Sequence, residues 1–285
     1  MGGSRDSMDR ESMNPDSTNM EGRRAEITRQ PMESTTESEE GPRTTLAAKL
    51  LFLWFAVVAT IWTVPMAACQ VITHQVDPSA RNFKRTASAW GRVILSLCGI
   101  RVKVVDNADL SSHEPLVFVS NHQNLLDILA LSASLPYPFG FLAKQELSQV
   151  PFLGVAIRNS ASIFIDKRDA RSAVTSLKAA GERIRAGNSV LVFVEGTRSY
   201  RSTLQPLKKG AFAVAVEAGV PMVPVTIVDA YRLMNEKKKL MRRGTIHIVI
   251  GHPIDLKGKT RRHLPELMED VRERMNAELS AAHRS

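Results

Sequence analysis

The sequence predicts an α/β fold: a largely parallel, mixed sheet of about seven strands flanked by helices, preceded by an N-terminal membrane-associated helical unit. Three observations carry that prediction. From residue 100 onward, short β-branched runs alternate with helical stretches, the pattern of strand–helix–strand units. Polar clusters follow several of those runs, where open α/β sheets gather their ligands. Ahead of them lie twenty uncharged residues, Leu50 to Cys69, enough for a helix of about 30 Å.

Residues 1–43 are rich in Ser, Thr, Glu, Gly, Arg and Met and lack apolar periodicity, so a disordered tail is expected. The opening "MGGSRD" has Asp6 where a myristoylation signal needs Ser or Thr. Residues 44–98 form the expected anchoring unit. Its first part, "LLFLWFAVVATIWTVPMAAC", lies too far from the N-terminus and is too long for an ordinary secretory signal. Pro65 is expected to kink the last turn, and Trp54 and Trp62 suit an interface. Residues 77–98 read as a second helix, with Arg81, Lys84, Arg85 and Arg92 set among apolar residues. Those cations suit either a solvated face or a helix lying at anionic headgroups.

Residues 99–285 form the expected catalytic domain. Strands are predicted at "IRVKVV", "LVFVS", "FGFLA", "ASIFID", "SVLVFV", "MVPVTIV" and "TIHIVIG". Helices are predicted at 170–186, ended by Gly187, at 208–218 and at about 262–281.

Charge is unevenly spread within the formal net of +9. Residues 1–49 hold seven Lys/Arg against ten Asp/Glu, and the remainder holds 31 against 19. A basic body suits an anionic partner such as a phosphate ligand or an anionic membrane surface. With 6% aromatic residues and no basic–aromatic interleaving, nucleic acid is not expected as a partner. The two cysteines, Cys69 and Cys98, lie in apolar stretches, which suits neither a disulfide framework nor a thiolate nucleophile.

Four polar clusters carry the candidate chemistry. In "VSNHQNLLD", His122 ends one strand run and Asp127 follows five positions on, placed to begin the next helix. A carboxylate on one ring nitrogen fixes the tautomer and leaves the other free to take a proton. No G-x-S-x-G elbow accompanies it, so the base has no enzyme nucleophile to activate. Taken alone, H-x4-D more often marks an ordinary loop histidine. In "SIFIDKRD", Asp166, Lys167 and Arg168 follow the strand core, which alone reads as a solvated turn. In "VFVEGTRS", Gly196 allows a tight turn, Arg198 offers a guanidinium fork that fits phosphate, and Glu195 is placed to orient Arg198. "VPVTIV", 223–228, reads as structural packing.

The order of these clusters is more telling than any one of them. His122-x4-Asp127, "FID" at 164–166, "EGTRS" at 195–199 and "VPVTI" at 223–227 resemble the glycerolipid acyltransferase family. The connecting text agrees: "FLAKQELSQVPFLG" (141–154), "LKKGAFAVAVEAGVPMVPV" (207–225) and "IVIGHPI" (248–254). The likeness covers roughly residues 100–256, and the 1-acylglycerol-3-phosphate (lysophosphatidate) acyltransferase branch is the most similar.

That resemblance implies transfer of a fatty acyl chain from acyl-CoA or acyl-carrier protein to the sn-2 hydroxyl of 1-acylglycerol-3-phosphate, giving phosphatidate. It implies His122 as general base oriented by Asp127, direct attack on the thioester without an acyl-enzyme, and no metal or organic cofactor. Glu195, Gly196, Thr197 and Arg198, with Lys167 and Arg168, are implied to hold the acceptor phosphate. The family commonly has Arg directly after the "FID" aspartate. Here Lys167 fills that place and Arg168 follows, which keeps charge but shifts the bidentate fork. Val194 replaces a common proline and Asn124 a frequent serine, both with little expected consequence. The donors are cytosolic, so the catalytic domain is expected on the cytoplasmic side of a membrane, the inner one if bacterial. Lys144 and the patch "NEKKKLMRRG", 235–244, add positive surface, solvated or set against lipid headgroups or an acidic carrier. Three other functions fit the same features: acyl transfer to another lysophospholipid or a lyso-ornithine-type lipid, thioester hydrolysis, and non-catalytic lipid binding at a membrane.

Overall fold

The computed structural model describes residues 41–108, 110, 115–166 and 170–282. All lie within one compact unit, residues 40–285. The expected disordered tail falls almost wholly outside the described residues, as do Lys167 and Arg168.

Helix α1, Leu46–Val76, is capped by Thr45, whose hydroxyl accepts the Ala48 N–H at 3.1 Å. It is longer at both ends than the uncharged run, and it continues past Pro65 to Val76, so Pro65 lies inside the helix and not in its last turn. Phe55, Val58 and Ala67 pack inward, while Leu46, Leu50, Leu53, Val57, Ile61 and Ile72 stand exposed. Among the described residues it is the helix long and apolar enough to cross a membrane. Trp54 Nε1 donates to Leu97 O at 3.0 Å, tying α1 to the end of the next helix.

That helix, α2, runs Ala80–Leu97. It packs on α1 and on α3, Leu126–Ser134. Gly91 permits the close approach, since a Cβ there would come within 2.5 Å of Leu129 O. The expected basic face of α2 is partly spent on α3. Lys84 Nζ and Ser88 Oγ donate to Ser132 O at 2.8 and 2.9 Å, and Arg92 Nε donates to Ala133 O at 3.1 Å. These donors satisfy the orphan carbonyls at the negative end of the α3 dipole. Arg81 and Arg85 face outward.

The seven predicted runs all become strands of one sheet: β1 Ile100–Asp106, β2 Val117–Ser120, β3 Gly140–Lys144, β4 Ile163–Ile165, β5 Val190–Phe193, β6 Met222–Val228 and β9 Gly244–Ile250. Their order is β1-β9-β6-β2-β5-β3-β4. All neighbours pair parallel except β6 with β9. Strand alternation divides the core. Val117 and Val119 face a cluster with Ile184 of α5 (Ala170–Arg185), Phe212 of α6 (Lys209–Ala218) and Met275 of α8 (Leu264–Ala282). Phe118 faces the opposite cluster with α1, α2 and α3. The predicted structural run β6 is buried along its whole length.

The basic patch 235–244 holds an element the sequence did not suggest. After α7, Ala230–Leu233, strands β7 (Met234–Asn235) and β8 (Leu240–Met241) form a small antiparallel hairpin, with Glu236 to Lys239 as its turn.

Candidate active site

Strands β2 and β5 are parallel neighbours, so the loops leaving their carboxyl ends emerge side by side. One loop carries His122 and the other Glu195 to Arg198. Backbone bonds join them: Ser199 N–H to His122 O at 2.8 Å and Tyr200 N–H to Gln123 O at 3.0 Å.

Asp127 stands in the first turn of α3, as the spacing predicts. Its Oδ2 lies 2.7 Å from His122 Nδ1 and accepts the N–H groups of Gln123 at 2.5 Å and Asn124 at 2.9 Å. An oxygen that already accepts two amides requires Nδ1 to donate, so the unprotonated nitrogen is Nε2. Asp127 is fully buried and its Oδ1 has no partner among the described residues. The imidazole stacks on Phe193, with ring centroids 3.9 Å apart and planes 12° from parallel.

Asn124 is more than a neutral replacement. Its Oδ1 accepts the Leu126 N–H at 2.9 Å, and its Nδ2 donates to Ala230 O at 2.5 Å and Met234 O at 3.0 Å. The amide thereby starts α3 and ties the His122 loop to the β7–β8 hairpin.

Glu195 sits differently from expectation. It is buried, with Oε1 accepting the His122 N–H at 2.8 Å and Oε2 the Gln205 N–H at 2.9 Å. Burial raises its carboxyl above the usual range, against those two hydrogen bonds. The carboxylate that meets Arg198 is Glu236, whose Oε1 lies 2.8 Å from Arg198 Nη1 and accepts the Tyr200 hydroxyl at 3.0 Å. Burial raises the Tyr200 phenol, which stays protonated as that donor.

His122, Gly196, Thr197 and Arg198 line one cavity of about 910 Å³, together with Lys144. The other walls are apolar: Phe55 and Ala59 of α1, Trp90 of α2, and Phe141, Phe152 and Phe193. Gln70 closes part of the α1 wall by donating to Asn159 O at 2.5 Å, at the end of α4 (Leu153–Arg158), and accepting from the Thr86 hydroxyl. Asp166 directly follows β4, the far edge strand, and is not on the cavity wall, although Ile165 is. Its N–H donates to Ser176 Oγ at 3.2 Å. Cys98 lies buried among apolar groups, which push its thiol up to about 11. Among the described residues no group of three His, Cys, Asp or Glu side chains has metal-holding geometry.

The sequence gives no individual role to Phe193, Tyr200, Glu236 or Lys237. Phe193 lies within the cluster "VFVEGTRS" and Tyr200 directly follows it. Glu236 and Lys237 belong to the basic patch 235–244, whose composition suits a solvated loop, lipid headgroups or an acidic carrier alike and does not say that its glutamate meets Arg198.

The His122–Asp127 pair thus stands on the wall of a largely apolar cavity at the strand ends of an α/β sheet, with no G-x-S-x-G elbow in the sequence. A family model described as Acyltransferase matches residues 101–228. An uncharacterised acyltransferase of Schizosaccharomyces pombe is 36% identical over 194 residues, 67% of this chain and 70% of that protein. The 1-acyl-sn-glycerol-3-phosphate acyltransferase of Saccharomyces cerevisiae is 35% identical over 193 residues, 67% of this chain and 63% of that one. This chain therefore spans just under two thirds of the budding-yeast enzyme. The crystal structure of PlsC, the 1-acyl-sn-glycerophosphate (LPA) acyltransferase from Thermotoga maritima, matches with a TM-score of 0.72 at 25% identity, covering 84% of this chain and 98% of that one. The chain belongs to the acyltransferase family.

Proposed function

We propose that the protein moves a fatty acyl group from a thioester, acyl-CoA or acyl-carrier protein, to the sn-2 hydroxyl of 1-acylglycerol-3-phosphate, giving phosphatidate. The observation that carries this reading is His122 on the wall of a largely apolar cavity, its Nδ1 held 2.7 Å from the buried Asp127. The cavity lies toward the upper end of the roughly 300–1,000 Å³ typical of ligand sites.

In the proposed reaction His122 Nε2 takes the acceptor hydroxyl proton as the oxygen bonds to the thioester carbonyl carbon. The tetrahedral adduct collapses, the carbon–sulfur bond breaks, and the imidazolium returns the proton to the leaving thiolate. Positioned proton transfer of this kind contributes about 10²–10⁴-fold. The N–H groups of His122, Gln123 and Asn124 are already bonded to carboxylates, and that of Gly196 to Phe193 O. The turn after Gly196 is therefore the better source of oxyanion donors than the His122 loop. Arg198, with Thr197, Gly196 and Lys144 on the same wall, faces the acceptor phosphate, and Lys167 and Arg168 follow the strand that carries Ile165. Glu195 serves that site indirectly, by holding the His122 loop against the Gly196 turn. The scheme uses no metal or organic cofactor.

The exposed apolar face of α1 sits in the bilayer in this reading, so acyl chains reach the cavity past Phe55 and Ala59 without crossing water. Arg81 and Arg85 then meet anionic headgroups, and the catalytic domain lies on the cytoplasmic side, where the thioester donors are.

The experiment is acyl transfer by purified, detergent-solubilised protein with oleoyl-CoA, with and without lysophosphatidate, for wild type and His122→Ala. Phosphatidate that forms only with acceptor present, and collapses in the variant, is the expected result. Thioester hydrolysis at full rate without acceptor would replace transfer by hydrolysis. Silence with both oleoyl-CoA and oleoyl-carrier protein, in folded protein, would overturn the reading.

A further inference from the structure

The β7–β8 hairpin brings two charged residues to the cavity mouth by different routes. Lys237 is on the cavity wall with Arg198 and Tyr200. Glu236 is not; its side chain is 15% exposed and stands behind Arg198 and Tyr200, binding both through Oε1. One ion pair on Nη1 leaves a guanidinium further N–H donors for a ligand. Lys237 Nζ lies 4.5 Å from the centroid of the Tyr200 ring, so the phenol seats the ammonium on one side while its hydroxyl anchors Glu236 on the other.

Charge decides what this wall can hold. The Arg198 charge is matched by Glu236. Among the described residues no carboxylate pairs with the Lys237 ammonium, so Lys237 supplies the excess positive charge of the Arg198–Tyr200–Glu236 group. The hairpin is also fixed in register with the base, because Asn124 Nδ2 bonds Ala230 O and Met234 O at its root.

We propose that Lys237 and Arg198 form a two-cation clamp for a phosphate monoester at the cavity mouth, with Glu236 the positioning residue that aims Arg198 into it. The clamp rests on the reading of this cavity as the acyl-transfer site. A phosphate monoester reaches that site from two sources, the acceptor's terminal phosphate or the 3′-phosphate of an acyl-CoA donor.

The test is steady-state kinetics of the full chain in detergent. Acceptors are 1-oleoylglycerol-3-phosphate and 1-oleoylglycerol; donors are oleoyl-CoA and oleoyl-dephospho-CoA. Lys237→Gln is expected to raise one KM about tenfold while leaving kcat within about twofold, the loss of one charge-assisted contact. Lys237→Arg should recover most of that affinity. Lys239→Gln removes the same charge two positions on, off the cavity wall, and should change neither KM. A KM rise for the phosphorylated acceptor, absent with 1-oleoylglycerol, assigns the clamp to the acceptor. A rise for oleoyl-CoA, absent with oleoyl-dephospho-CoA, assigns it to the donor. Both KM values unchanged in Lys237→Gln would overturn the clamp, as would equal effects from Lys239→Gln. Glu236→Gln should raise the same KM as Lys237→Gln. A uniform loss of kcat with every acceptor and donor would instead make Glu236 a purely structural residue. Equilibrium binding of 1-oleoylglycerol-3-phosphate, measured alongside, separates the two proposals. Binding weakened in Lys237→Gln, with no turnover by wild type, would keep the clamp and sink the transferase reading.

Discussion

Glu195 Oε1 accepts the backbone N–H of His122 at 2.8 Å, a bond between residues 73 positions apart. It joins the loop after β2 to the loop after β5, and the second carboxylate oxygen, on Gln205 N–H, braces the same turn from behind. The glutamate of the "EGTRS" motif is thus a brace between loops, and the guanidinium three residues later meets a different carboxylate, Glu236.

That geometry predicts a particular kinetic signature for Glu195→Gln. An amide has one acceptor oxygen where the carboxylate has two, so either the buried His122 N–H or the partly buried Gln205 N–H loses its partner. Each orphaned donor costs about 1–3 kcal/mol. The His122 loop should loosen, lowering kcat about 10- to 100-fold, the effect of misplacing a reacting group by about an ångström. KM for lysophosphatidate should hold within about twofold. A large KM change at constant kcat would mean that Glu195 acts at the phosphate after all.

Asp127→Asn probes the tautomer directly. Oδ2 accepts from His122 Nδ1 and two backbone amides, so an asparagine keeps all three bonds only with its oxygen there, which buries its NH₂ without a partner where Oδ1 stood and removes the negative charge beside the imidazole. An asparagine presenting its NH₂ to Nδ1 would put the proton on Nε2, where the base must be free. Activity should fall about 10²–10⁴-fold, close to the fall in His122→Ala, and the double variant should be no worse than either single one. Single-turnover transfer of radiolabelled oleate reads this without interference from product release. Additive losses in the double variant would mean that the two residues act separately.

The fold was legible because each strand announces itself locally. Runs such as Val190–Phe193 are β-branched, short and bounded by turn residues, and seven such runs became seven strands of one sheet. His122 and Asp127 were legible for a similar reason: their spacing fits a strand end followed by a helix turn. The partners of Arg198 and Lys84 were not. Glu236 lies 38 residues from Arg198 and Ser132 lies 48 from Lys84, and nothing in either local pattern says which distant group will arrive. A charge run is read as solvated by default, yet Lys84 and Arg92 cap α3 and Glu236 holds Arg198. Pro65 misled because one missing N–H was taken to mark the final turn, whereas the helix continues to Val76.

Ala67 tests the cavity as the acyl site. It is 5% exposed and on the α1 wall, near the Gln70–Asn159 bond that closes it. Ala67→Phe places a ring in space that a long chain would occupy. The ratio of kcat/KM for octanoyl-CoA over oleoyl-CoA should rise at least about tenfold, since a few buried methylenes are each worth about 0.8 kcal/mol. An unchanged ratio in a folded variant would put the acyl chain elsewhere.

Lys84 gives the protein a stability term that depends on alkaline pH. Its ammonium is partly buried between α2 and α3, donating to Ser132 O, and desolvation first, with Arg92 second, pushes it down to about 8. An unfolded lysine titrates near 10.5, so between about 8 and 10.5 the unfolded chain holds more protons than the folded one. Stability contributed by this residue therefore rises with pH across that window. Below pH 8 the full cost of burying the charge is present; by pH 10.5 it is relieved, a swing of about 3 kcal/mol. Lys84→Met carries no such term. Thermal melts of wild type and variant in the same detergent, from pH 7 to 10.5, should show the difference in Tm moving toward wild type as pH rises, with most of the change above pH 8. Taking the difference cancels the titration of every other group the two chains share. Parallel curves would mean that the Lys84 amine is solvated, and that α2 and α3 pack less closely than the 2.8 Å bond to Ser132 O requires.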